Sequence, residues 1–268
     1  MATFRIGLLQ LLNICSYLLM IVINAFADLI PIGGNTSAEV SVRYSNHFLP
    51  SPITFLIWPL IYLLLLLFSI YQAGTLFQQN KTGVSNKEIV AGKIGMLFIL
   101  SCLLNSSWLL AWHFHQIGLS AIIMIILLIT LILIHQRLSI AITPVDENER
   151  TFVWLPFSIY LGWISIACMS NIAAWLVSVG WNGFGVAQSW WAIALVVLGT
   201  LISVLMIFKR HNVFFGLTVI WAFAGIALKQ FQESGKWNNI ALSALLSSFL
   251  LLILIVFSYR SFSKVKTA

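Results

Sequence analysis

Hydrophobic residues in this chain fall into eight long runs, and polar and charged residues gather in the gaps between them. The runs cover roughly Ile6–Ala27, Pro52–Ala73, Ala91–Trp112, Leu119–Ile134, Phe152–Val179, Trp190–Phe208, Val213–Leu228 and Ile240–Ser258. A helix needs about 20 mostly apolar residues to cross a bilayer, so each run predicts a membrane-spanning helix. The fourth is the shortest and reaches full length only by taking in the residues before it. A barrel would instead show alternating segments about half as long. The pattern therefore predicts an all-α fold, a polytopic membrane helix bundle of about eight transmembrane helices.

Composition agrees. With 60% hydrophobic and 8% charged residues, the chain is not a soluble globular domain. Charge then orients it, because Lys and Arg favour the cytoplasmic side. The N-terminus, the 74–90 loop counted with Lys93, the 136–151 loop, Lys209 with Arg210, and the tail carry 11 basic residues, against three on the other side, Arg43, Lys229 and Lys236. Both termini are expected in the cytoplasm, the chain lying multi-pass in a cell membrane, by preference a bacterial plasma membrane. The basic residues are spread over separate loops, which argues against nucleic acid as a partner. Arg260, Lys264 and Lys266 read as an interfacial anchor to membrane lipid. Ala25-Phe26-Ala27 has the form of a signal-peptidase site, but the apolar run before it is long for a signal, and a retained first helix is the preferred reading.

All seven acids, Asp28, Glu39, Glu88, Asp146, Glu147, Glu149 and Glu233, fall outside the apolar runs and read as loop residues. Ion-coupled pumps and intramembrane hydrolases place ionisable groups inside the membrane, so neither class is expected, and no Ser-His-Asp set or HExxH pattern occurs. The chain reads as a non-enzyme with no catalytic residues. Cys15, Cys102 and Cys168 match no metal or redox spacing and read as packing residues. His47, His113 and His115 share the outer side without a diagnostic spacing and read as wet interfacial residues, so no metal is expected.

The interior holds aromatic and amide side chains instead. Asn105, Trp108 and Trp112 recur at i, i+3, i+7, which places them on one helix face. Tyr160, Trp163, Ala167, Asn171 and Trp175 do the same on the fifth helix, and Trp58 and Tyr62 pair at i, i+4 on the second. Trp181, Trp190, Trp191 and Trp237 suit the interfacial belt. Such faces suit interhelical packing, or a ligand pocket, and the amides suit interhelical hydrogen bonding. The outward loop 28–51 ends in the rigid Pro50-Ser51-Pro52 and is a candidate lid.

These residues carry a resemblance. Tyr160-Leu161-Gly162-Trp163-Ile164-Ser165-Ile166-Ala167…Asn171 resembles the fifth helix of the TspO/MBR family, the tryptophan-rich sensory or translocator proteins. Asn105-Ser106-Ser107-Trp108 is similar to that family's third-helix N-x-x-W, and Trp58-Pro59-Leu60-Ile61-Tyr62 to its second-helix W-x-x-x-Y. The order of helices agrees over about residues 1–180. Pro52, Phe55 and Leu56 depart from the family's usual second-helix pattern at positions close to its ligand cavity.

The resemblance implies a TspO-like five-helix bundle over 1–180, followed by a three-helix extension over 186–268 with a basic cytoplasmic tail. It implies a flat hydrophobic ligand, porphyrin-like or sterol-like, held by Trp58, Tyr62, Asn105, Trp108, Tyr160, Trp163 and Asn171. Porphyrin or haem would enter as ligand, not as a resident cofactor. Membrane lipid and a hydrophobic small molecule are the partners expected, and a homodimer is compatible with them. A small-solute transporter, and an accessory membrane subunit without a ligand, stay open as alternatives.

Overall fold

The computed structural model describes residues 2–30, 32–76 and 85–266. Every regular element among them is helical. In a bilayer this follows from backbone chemistry, since a helix satisfies its own N–H and C=O groups without water. The helices are α1 (Ala2–Leu29), α2 (Ser37–Arg43), α3 (Ile57–Ala73, entered through a 3-10 turn at Pro52–Leu56), α4 (Asn86–Ile94), α5 (Leu97–His113), α6 (Ile117–Arg137), α7 (Glu147–Glu149), α8 (Leu155–Ser178, entered through a π turn at Arg150–Trp154), α9 (Gln188–Arg210), α10 (Val213–Ser234) and α11 (Asn239–Lys266).

Seven segments are long and apolar enough to cross a membrane, and α4 with α5 makes an eighth if that pair, bent by 55°, counts as one span. The protein is thus a multi-pass membrane protein. The third apolar run was expected to be one helix from Ala91, but it breaks at Gly95, whose φ of 51° and ψ of −132° leave the helical region. Glycine alone adopts such a conformation readily. α4 is a separate short helix with its own capping box, formed by Ser85 and Glu88.

Local sequence explains the other helix ends. Pro156, near the start of α8, has no N–H to give to Phe152, and its ring would press on that carbonyl. The wider π turn just before it accommodates both. α10 runs six residues past the apolar run. It is capped by the Asn212 side chain, which accepts from Phe215 N at 3.1 Å, and ends at Gly235, whose φ is 67°. Lys229 and Glu233 therefore lie in the last turns of the helix and not in a loop.

The chain forms two compact units, Met1–Ser37 with Trp58–Tyr160, and Ala38–Ile57 with Leu161–Ala268. In the first, α5 packs on α1 and α6, and a core of Phe68, Phe98 and Phe157 meets edge to face, with Phe68 4.9 Å from each of the others. In the second, α9, α10 and α11 pack pairwise. In that second unit the segment 38–57 groups with the C-terminal helices. Hydrogen bonds to α10 hold it there. Ser51 N donates to Gly225 O at 2.9 Å, and Trp221 Nε1 donates to Thr54 O at 2.9 Å. Lys229 Nζ donates to Ser45 Oγ at 2.9 Å and to Asn46 O at 3.2 Å, and Gln230 Nε2 donates to His47 O at 3.0 Å. Trp221 lies thirteen residues before the end of α10, about 20 Å along its axis at 1.5 Å per residue. The chain from Ser45 to Thr54 thus runs far down the helix as a strap. Non-helical backbone is tolerated at that depth only where protein covers it, and Phe48, Ser51 and Thr54 are all buried.

Candidate functional site

Four helices of the first unit bring side chains to one cluster. α3 supplies Trp58 and Tyr62, α5 supplies Asn105, Trp108 and Trp112, the first turns of α8 supply Tyr160, and α1 supplies Tyr17 and Asn24. The rings form a column. Trp58 stacks on Tyr62 at 5.6 Å and on Trp108 at 5.6 Å, and Trp108 stacks on Trp112 at 6.3 Å. Tyr160 meets Trp58 edge-on at 6.4 Å. These separations fall in the favourable range for aromatic pairs, each worth about 0.5–1.5 kcal/mol beyond burial. A flat molecule between two rings needs them about 7 Å apart, twice the usual carbon contact. In this conformation the rings occupy one another's faces, so a ligand would enter by parting the stack or by lying along its edge.

A line of hydrogen bonds runs beside the column. Tyr62 Oη donates to Asn24 Oδ1. Asn24 Nδ2 donates to Met20 O at 2.9 Å and to Asn105 Oδ1 at 3.0 Å, and Asn105 Nδ2 donates to Tyr160 Oη at 3.2 Å. Tyr17 Oη donates to the carbonyl of Tyr62 at 2.9 Å. Bonds of this kind between membrane helices contribute about 0.6 kcal/mol each on average. Asn105 thus ties three helices together.

The sequence-derived set divides between the units. Trp58, Tyr62, Asn105, Trp108 and Tyr160 belong to the first and come together there. Trp163 and Asn171 belong to the second and are buried. Trp163 meets the edge of Phe55 at 5.9 Å and 85°. The bulky residue at that departure position therefore packs on the fifth-helix tryptophan. Trp175, on the same predicted face, is exposed.

Several polar residues were not anticipated. On α1, Gln10, Asn13 and Asn24 are buried, and Gln10 and Asn13 bond to Gln72 of α3 and to Thr75 just beyond it. Three amides inside an apolar run were the available signal. The expectation that all the outer histidines are wet fails for His113, which is fully buried. Its Nδ1 lies 2.9 Å from Leu109 O, and its Nε2 lies 3.4 Å from Ser37 Oγ. The chain before α2 covers it: a Cβ on Gly33 would come within 2.9 Å of the His113 carbonyl oxygen. No group of three or more His, Cys, Asp or Glu placed to hold a metal occurs among the described residues.

A separate open cavity of about 550 Å³ in the first unit is lined by α4 and the 138–149 segment, including Lys93, Pro144, Asp146 and Glu149. Its charged lining differs in kind from the aromatic cluster.

No curated protein and no solved structure matches the chain. The family described as TSPO-like protein matches residues 10–257. That match runs from the third turn of α1 into α11, so the last three helices fall within the family pattern and are not foreign to it. With all but the ends of its sequence so matched, the chain belongs to the TSPO-like protein family.

Proposed function

We propose that the protein is a membrane ligand-binding protein that takes a flat hydrophobic molecule, porphyrin-like or sterol-like, and acts as a sensor or translocator and not as an enzyme. The observation that carries this reading is the ring column Tyr62–Trp58–Trp108–Trp112 with Tyr160 at its edge. Five aromatic rings with no ionised side chain among them offer stacking planes, and a few polar groups can set a ligand's orientation. Family membership supports the same reading, as does the absence of any acid from the apolar runs of the sequence.

The test is equilibrium titration of purified, folded protein with a panel of porphyrins, sterols and quinones, following tryptophan emission. Saturable quenching by at least one flat compound is expected. A panel without saturable binding would remove the pocket and leave the rings as interhelical packing.

A further inference from the structure

The hydrogen bonds of the Trp58 cluster have a fixed direction. Met20 O is a backbone carbonyl and can only accept, so the group of Asn24 that lies 2.9 Å away is its NH2. The Asn24 oxygen then receives the Tyr62 hydroxyl. The same NH2 faces Asn105 at 3.0 Å, which must present its oxygen there. That places the Asn105 NH2 against Tyr160 Oη at 3.2 Å. Tyr160 is thereby made an acceptor, and its own hydroxyl hydrogen is left over. Tyr160 is 1% exposed, so water does not freely take that hydrogen.

Trp108 adds a second donor. Its indole N–H can only donate, it is buried, and it has no acceptor among the described residues. Both rings lie against Trp58. Two buried donors without acceptors around one ring are costly unless something fills them.

We propose that the Trp58 cluster selects flat ligands that carry hydrogen-bond acceptors, such as ring ketones of the quinone type, with Tyr160 Oη–H and Trp108 Nε1–H as the donors that orient them. This rests on the flat-ligand reading above and narrows its ligand class. A ligand built of hydrocarbon alone, with no acceptor, would leave both groups unmatched.

Anthraquinone and anthracene form a suitable pair, because they share three fused rings and differ by two carbonyl oxygens. Saturable binding of each to the full chain in nanodiscs, corrected for empty nanodiscs, gives an affinity ratio. The ratio is expected to favour anthraquinone by roughly 5- to 150-fold for two hydrogen bonds. Trp108→Phe should reduce that ratio by about 2- to 13-fold, the worth of one bond. Tyr160→Phe should reduce it similarly, and the ratio cancels any general loss of affinity. Should Tyr160→Phe fail to fold, Trp108→Phe decides alone. Equal affinity for the two compounds, or a ratio unmoved by Trp108→Phe, would overturn the inference and leave the flat-ligand reading intact. Binding of neither compound by folded protein would overturn the inference, and the flat-ligand reading would fall with it only if the porphyrin, sterol and quinone panel were silent too.

Discussion

The Thr54 side chain lies directly against the α-carbon of Gly225, in the place where a β-carbon would stand. The contact lets the strap before α3 approach α10 closely enough for Ser51 N to reach the Gly225 carbonyl. Gly225→Ala should therefore destabilise the protein by about 1–3 kcal/mol through overpacking, although alanine is ordinarily the better helix former. Thermal unfolding in detergent measures this. Thr54→Gly in the same chain should recover part of the loss, and strict additivity of the two changes would refute the contact as its cause.

Lys229 holds the other end of the strap. Its ammonium group reaches Ser45 Oγ, Asn46 O and, at 3.7 Å, a carboxylate oxygen of Glu233. Lys229→Met keeps the length of the side chain and removes every donor. The strap should then open more often, by a factor of roughly 5–150 if about 1–3 kcal/mol is lost. Thiol labelling of Ser51→Cys, at a position now buried, reports the opening rate. An unchanged rate would show that Lys229 does not restrain the segment.

How much of this was legible in sequence differs from part to part. Hydropathy located the spans, because a bilayer demands the same apolar length of every helix. It missed the break at Gly95, where one run contains two helices and only a backbone angle separates them. It also ended α10 at Leu228, since a lysine looks like a boundary. Gly235 as a C-terminal glycine marks the true end. Helical spacing put Trp58 with Tyr62, and Asn105 with Trp108, on shared faces. It could not show that the rings stack on one another, nor that the amides of α1 complete the network, because both depend on partners distant in sequence.

Asn24 and Asn105 should be energetically coupled. Removing either side chain as Leu leaves the other with an unfilled hydrogen-bonding group, at about 1–2 kcal/mol in a membrane interior. The double substitution should cost less than the sum of the two singles. A double-mutant cycle on unfolding free energy tests this, and full additivity would mean the 3.0 Å contact contributes nothing of its own.

From the charge bias we propose that both termini face the cytoplasm. Membrane-impermeant labelling of a cysteine at Arg43 and of one at Thr267, which lies outside the described residues, should report opposite sides. Labelling from the same side would contradict the assignment of both termini to the cytoplasm.

The strap also bears on how the protein is made. Ser45–Thr54 leaves the ribosome long before its partners Trp221, Gly225 and Lys229 exist. At about 5–20 residues per second, the interval is on the order of 10–40 s. Throughout it, a segment destined for depth beside a helix has no backbone partners there and must wait at the water boundary. Insertion of the early helices and seating of the strap are therefore separate events in biogenesis, with α10 as the trigger for the second. A nascent chain arrested before α10 should remain open to protease at this segment, and one arrested after α11 should be closed.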